Sequence, residues 1–261
     1  MRRILIGSFC ILALTATVNA QSFSYYDGEY GAPGPGVAIP GPNSITQSTD
    51  TSTITSLNSV HCGSGGLHAD NSYIRRFFLD ADHGIVGAFS VESVDWAIES
   101  ATGATGSQPV EVNLYSIPVG AALTFANLTS IGGSNISVAD ASLSGISTNV
   151  SGVVSDPTTL DLVVEVFTPN GQTAGNGLFI GSNANGETQA SYLAAAACGI
   201  SEPTATGAIG FPGMQIIMVV NGTEAGEPVP TMGGWALILL ATLLIAVATW
   251  VLRRRSLHHT V

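Results

Sequence analysis

The sequence predicts an all-β fold, an antiparallel β-sandwich of jelly-roll type, on three observations. Several short segments alternate apolar and polar residues with a period of two. Turn-forming residues punctuate the chain throughout, with 31 Gly and 12 Pro in 261 residues, as closely spaced strands require. Between the two ends of the chain no long stretch repeats its apolar residues at helical spacing.

At the N-terminus, Arg2 and Arg3 precede an apolar stretch from Ile4 to about Val18, and Val18-Asn19-Ala20 places small residues where a signal peptidase reads. Residues 1–20 are expected to be a signal peptide and the mature chain to begin at Gln21. Residues 21–50 are rich in Gly, Pro, Ser and Thr with aromatic punctuation. That composition buries too little apolar surface to order itself and predicts a linker, unless Phe23, Tyr25 and Tyr26 dock on the domain as an added edge strand.

The expected domain spans 51–221. Val94, Trp96 and Ile98 alternate with Asp95 and Glu99; Val110, Val112 and Leu114 alternate with Glu111 and Asn113; Leu160, Leu162, Val164 and Val166 alternate with Asp161 and Glu165. Each reads as a half-buried strand with its acidic side chains in water. Met214 to Val220 is apolar on both faces except at Gln215, as a central strand covered on two sides would be. Further strands are expected at Ser72 to Leu79, Gly145 to Val154 and Leu178 to Gly181. Asn170-Gly171 and Asn185-Gly186 carry the dipeptide that type I′ hairpin turns favour. Thr188 to Cys198 reads either as a continued hairpin or as a short helix.

After an acidic linker over 222–232, residues 233–252 form the expected membrane helix. Within it Trp235 to Leu252 runs 18 residues without a charge, roughly 27 Å at 1.5 Å per residue, the thickness of a hydrocarbon core. Trp235 and Trp250 suit the two interfaces, and Arg253, Arg254 and Arg255 open a basic tail, 253–261, that stops transfer and stays inside. A short turn motif, an apolar helix and a basic stop resemble the IPTL-CTERM sorting tails of bacterial surface proteins, here as Val229, Pro230, Thr231, Met232 and Trp235. Val229 and Met232 stand where that family has Ile and Leu, and Gly233-Gly234 replaces its polar pair. The resemblance implies export, sorting to the surface and a dedicated sortase-like protease as a partner. Asn71 to Phe78, Val94 to Gly103 and Gln108 to Pro118 are also similar to a module of secreted bacterial surface proteins that carries no named activity.

The chain has no lysine, and only Arg75 and Arg76 lie between the expected signal peptide and tail, against all 18 Asp and Glu, a net −16. Such a surface repels phosphate backbones, so nucleic acid is excluded as a partner. Cys62 and Cys198 are the two cysteines left after processing. In an oxidising compartment they are expected to form one disulfide.

Few residues read as chemistry. His61, His68 and His83 fall near Asp70, Asp80 and Asp82, either as ligands to a divalent metal or as ordinary loop histidines. Asp80-Ala-Asp82-His-Gly84 begins like a calcium loop but lacks the third oxygen ligand and the distal Glu of an EF-hand. Asp80 and Asp82 are therefore the candidate calcium ligands, against a plain turn; no other cofactor is expected. No Gly-x-Ser-x-Gly elbow, His-Glu-x-x-His or phosphate-cradling loop occurs. The expectation is a non-enzymatic, membrane-anchored surface protein that uses a sandwich to bind carbohydrate or matrix. A passive envelope or matrix component and a hydrolase with paired carboxylates are the alternatives. An exposed aromatic or acidic cleft would favour binding, and extensive self-association the structural role.

Overall fold

A computed structural model describes residues 21–29 and 43–225. The chain divides into a unit Met1–Thr223, which holds the sheets, and a unit Glu224–Val261 that is almost wholly outside the described residues. The expected signal peptide, sorting motif, membrane helix 233–252 and arginine tail also lie outside them. No helix among the described residues is long and apolar enough to cross a membrane.

The strands are β1 Ser22–Tyr25, β2 Ser44–Thr46, β3 Val60–Ser64, β4 Leu67–His68, β5 Asn71–Phe77, β6 Phe89–Thr102, β7 Ser107–Pro118 and β8 Thr129–Ala139. They continue with β9 Ala141–Val154, β10 Leu160–Thr168, β11 Gly177–Ile180, β12 Ser182–Asn183, β13 Ser191–Ala195, β14 Ile200–Ala205, β15 Gln215–Ile216 and β16 Met218–Glu224. One short helix, α1 Leu79–His83, follows β5. The fold is all-β, with antiparallel sheets arranged as a sandwich. A six-stranded sheet has the order β14-β13-β5-β10-β7-β8, and the sheet opposite it has the order β11-β6-β16-β2 with β9 also paired to β6. Two small sheets, β1-β3-β4 and β12-β15, complete the fold.

The period-two segments place their apolar sets where expected. Trp96, Val112, Leu114, Leu162, Val164 and Val166 are all fully buried in one core between the sheets. Buried tryptophan needs a partner for its N–H, and Trp96 Nε1 donates to Thr148 Oγ1 on the neighbouring β9 at 3.1 Å. The chain crosses from one sheet to the other between β6 and β7 through a turn at Gly106, whose φ of +82° suits glycine. It crosses back at Asp140, and the two edges then approach so closely that a Cβ on Gly132 would collide with the Ser151 carbonyl.

Several expectations need correction. The stretch 21–50 is not all linker: β1 pairs with β3 as the docked edge strand, Phe23 packs on the core, and β2 pairs with β16. Neither Asn-Gly dipeptide forms a type I′ hairpin, because Asn170 and Asn185 keep negative φ. The strands flanking Asn170-Gly171, β10 and β11, belong to different sheets. Thr188 to Cys198 becomes β13 followed by one 3-10 turn, Ala196–Cys198. Met214 to Val220 is buried on both faces apart from Gln215, but is split into β15 and β16.

The largest correction concerns the outward carboxylates. Asp95, Glu99, Asp161 and Glu165 are at most 5% exposed. Glu99 accepts the backbone N–H groups of Leu57 at 2.9 Å, Asn58 at 3.3 Å and Ser59 at 2.9 Å, from a segment laid over that face. Asp95 accepts from Asn221 Nδ2 at 2.8 Å. Buried carboxylates persist when such donors replace water.

Candidate functional site

On the outer face of the six-stranded sheet, pleating and register set the side chains in rows. Phe167 lies between Ser72 and Glu111, and Glu165 between Ile74 and Asn113; Val163 sits between Arg76 and Tyr115. Two halves of this face differ. One half is sealed by the connection between β7 and β8, whose Ala121, Leu123 and Leu128 pack on Ile74, Ile117 and Val163. Arg76 sits under that connection, held by Asp161 and donating to the carbonyl oxygens of Ala121 at 2.7 Å and Pro118 at 3.2 Å.

The other half is an open groove of about 390 Å³ lined by Asp70, Ser72, Glu111, Asn113, Tyr115, Phe125, Glu165, Phe167, Ala194–Ala196 and Ser201. Its floor belongs to β5, β7, β10 and β13, so it is set by strand register and not by loops alone. Phe125, from the β7–β8 connection, forms a wall, with its backbone N–H donating to Glu202 Oε2 at 2.9 Å. Glu165 is buried in the floor; its Oε2 accepts from Tyr115 Oη at 2.8 Å and Asn113 Nδ2 at 3.1 Å. Burial first, and then the Glu165 charge, push the Tyr115 hydroxyl well above its ordinary range. Tyr115 therefore stays a protonated donor, and the arrangement presents rings, an amide, hydroxyls and carboxylates without a positive charge.

The residues singled out in the sequence lie elsewhere. Asp80 and Asp82 are exposed in α1, two positions apart, about 200° around a helix. Their side chains diverge, and Asp82 Oδ2 accepts from Gln189 Nε2 at 2.9 Å. His61 and His68 are buried and not loop residues, with ring centroids 6.4 Å apart. His68 is held by Gln108 Oε1 at 2.8 Å, and His61 stacks on Phe179 at 4.0 Å. Among the described residues no three His, Cys, Asp or Glu are placed to hold a metal ion. Arg75 and Arg76 point to opposite faces as alternation requires, yet both are paired, Arg75 with Glu187 at 2.7 Å and Arg76 with Asp161 at 2.6 Å. Cys62 and Cys198 are joined in a disulfide, Cα to Cα 5.9 Å, that ties β3 to the turn after β13.

Sequence reading missed the groove. Its signal was present in the outward positions of β7 and β10, where Glu111, Asn113 and Tyr115 alternate against Glu165 and Phe167. Aromatic side chains on a supposedly solvated face were the clue. Comparison with family models, curated proteins and solved structures finds no match.

Proposed function

We propose that this chain is a non-enzymatic surface protein whose sandwich, finished as a jelly roll, binds a saccharide in the groove on its outer sheet face. One observation carries the reading: a face sealed over one half by its own loop leaves the other half open, and that half holds Tyr115, Phe125 and Phe167 beside Asn113 and Ser72. Aromatic faces pack against the apolar side of a sugar ring, and convergent polar groups fix its orientation. An exposed aromatic and acidic groove supports a binding role over a passive one.

Export and anchoring complete the proposal. The signal-like segment 1–20, the IPTL-like motif and the apolar run Trp235 to Leu252 with its arginine stop support it. A bacterial host, a sorting protease acting at the tail and an extracellular groove all follow from that reading.

Titration of the full chain with a panel of neutral and charged oligosaccharides, followed by calorimetry, tests the binding role. Phe125→Ala removes a wall that is 38% exposed. It should weaken binding about tenfold, as loss of one aromatic contact does, while leaving the melting temperature nearly unchanged. Wild-type protein that ignores every saccharide would remove the proposal. Truncation before Gly233 tests the anchor: the shortened protein should be released, and its retention in carbonate-washed membranes would contradict anchoring.

A further inference from the structure

Resting on the proposed saccharide groove, we infer that its ligand carries free amino groups: an oligomer of unacetylated amino sugar, bound as the ammonium form. Asp70, Glu111 and Glu165 line the groove, and no arginine or lysine does. The two ectodomain arginines that could have balanced them are bound to Glu187 and Asp161 instead.

Glu165 points most directly to a ligand. It is only 5% exposed, and its two hydrogen bonds, from Tyr115 and Asn113, both fall on Oε2. Oε1 accepts no hydrogen bond among the described residues, and Glu165 is part of the groove lining. That oxygen is not sealed from solvent, so a ligand's donor can reach it, and a charged donor makes the stronger hydrogen bond to a carboxylate. Glu111, one strand over and beside Phe167, likewise accepts no hydrogen bond among the described residues.

The remaining lining fits a sugar that bears such a charge. An ammonium group set between these carboxylates would also lie near the ring of Tyr115, whose face attracts cations. A divalent metal fits less well, because the carboxylates do not converge as a ligand set. A neutral sugar could donate a hydroxyl to Oε1 but would leave the charge of Asp70, Glu111 and Glu165 unbalanced.

The test uses the full chain in detergent and three probes: a glucosamine tetramer, its fully N-acetylated counterpart and tetralysine. The free-amine tetramer should bind about tenfold more tightly than the acetylated one, the difference between a charge-assisted and a neutral hydrogen bond. That preference should shrink as salt rises. Glu111→Gln should reduce it several-fold, with the larger loss on the free-amine tetramer, and Glu165→Gln should abolish it if that variant folds. Equal binding of the two tetramers, or tighter binding of the acetylated one, would overturn the inference while leaving the saccharide groove intact. Tetralysine that binds as tightly and competes would show that charge alone is read, overturning the sugar assignment. Binding of none of the three would remove this inference, and a silent neutral panel would remove the groove with it.

Discussion

Arg76 and Asp161 face each other diagonally across β5 and β10, with Arg76 Nη2 2.6 Å and Nε 2.9 Å from the same Asp161 oxygen. Both side chains are under a tenth exposed, and the guanidinium also stacks 4.9 Å from the Phe78 ring. This pair stitches the β7–β8 connection to the sheet. It thereby decides which half of the outer face is closed and which remains a groove.

Removing one partner should therefore cost more than removing both. Arg76→Ala leaves a buried carboxylate without its cation, a loss of about 3–5 kcal/mol by analogy with other broken buried pairs. Arg76→Met with Asp161→Leu should recover much of it. Urea unfolding of the four proteins measures the cycle; a single-variant cost below about 1 kcal/mol would show that the pair does not hold the face shut.

The disulfide joins residues 136 apart in sequence. In the chain-entropy model, closing a loop of that length contributes about 5 kcal/mol to stability. Non-reducing peptide mapping should recover a Cys62–Cys198 peptide, and Cys62→Ala with Cys198→Ala should lower the urea midpoint accordingly. Two alkylatable thiols in the native protein would contradict the bond.

His61 sets an acid limit. Its Nδ1–H donates to the Leu178 carbonyl at 3.1 Å while Nε2 is buried without a partner among the described residues. Burial chiefly, helped by the charge of His68, lowers its pKa from 6.5 to about 4, against the opposite pull of the Leu178 hydrogen bond and a smaller one from Asp27. The unfolded chain then binds the extra proton first. Stability is full above pH 6.5 and falls as the pH drops toward 4, by about 3 kcal/mol in total, before levelling off. Asp50 acts at lower pH, because hydrogen bonds from Thr53 and Ser52 hold it below its ordinary 3.8. Its contribution is present above 3.8 and is lost below that value. Melting curves from pH 7 to 4 should flatten in His61→Gln; an unchanged slope would assign the acid sensitivity elsewhere.

Calcium should act as salt. Asp80 and Asp82 diverge on α1, and Asp82 is already engaged by Gln189. With a net −16 between the expected signal peptide and tail, calcium and sodium chloride at matched ionic strength should raise the melting temperature equally, since both screen repulsion. An extra rise in calcium that disappears in Asp80→Ala would reveal a site.

The sequence by itself determined which residues face the core. Val94, Trp96 and Ile98, like Val110, Val112 and Leu114, announce their buried side through period two, and all six are buried. The same alternation made Asp95, Glu99, Asp161 and Glu165 look solvated, because a strand's pleat separates its two faces without saying what covers the second. That was decided by tertiary structure: residues 57–59 fold over Glu99, and the β7–β8 connection folds over the half of the face that holds Asp161. Asn170-Gly171 failed as a hairpin for a related reason, since a local turn preference yields when the flanking strands pair in different sheets. Glu165 and Tyr115 are 50 residues apart in the chain, and only register across β7 and β10 brings them to one groove. Side-chain alternation is a local property, whereas cover and convergence arise from contacts between segments far apart in sequence.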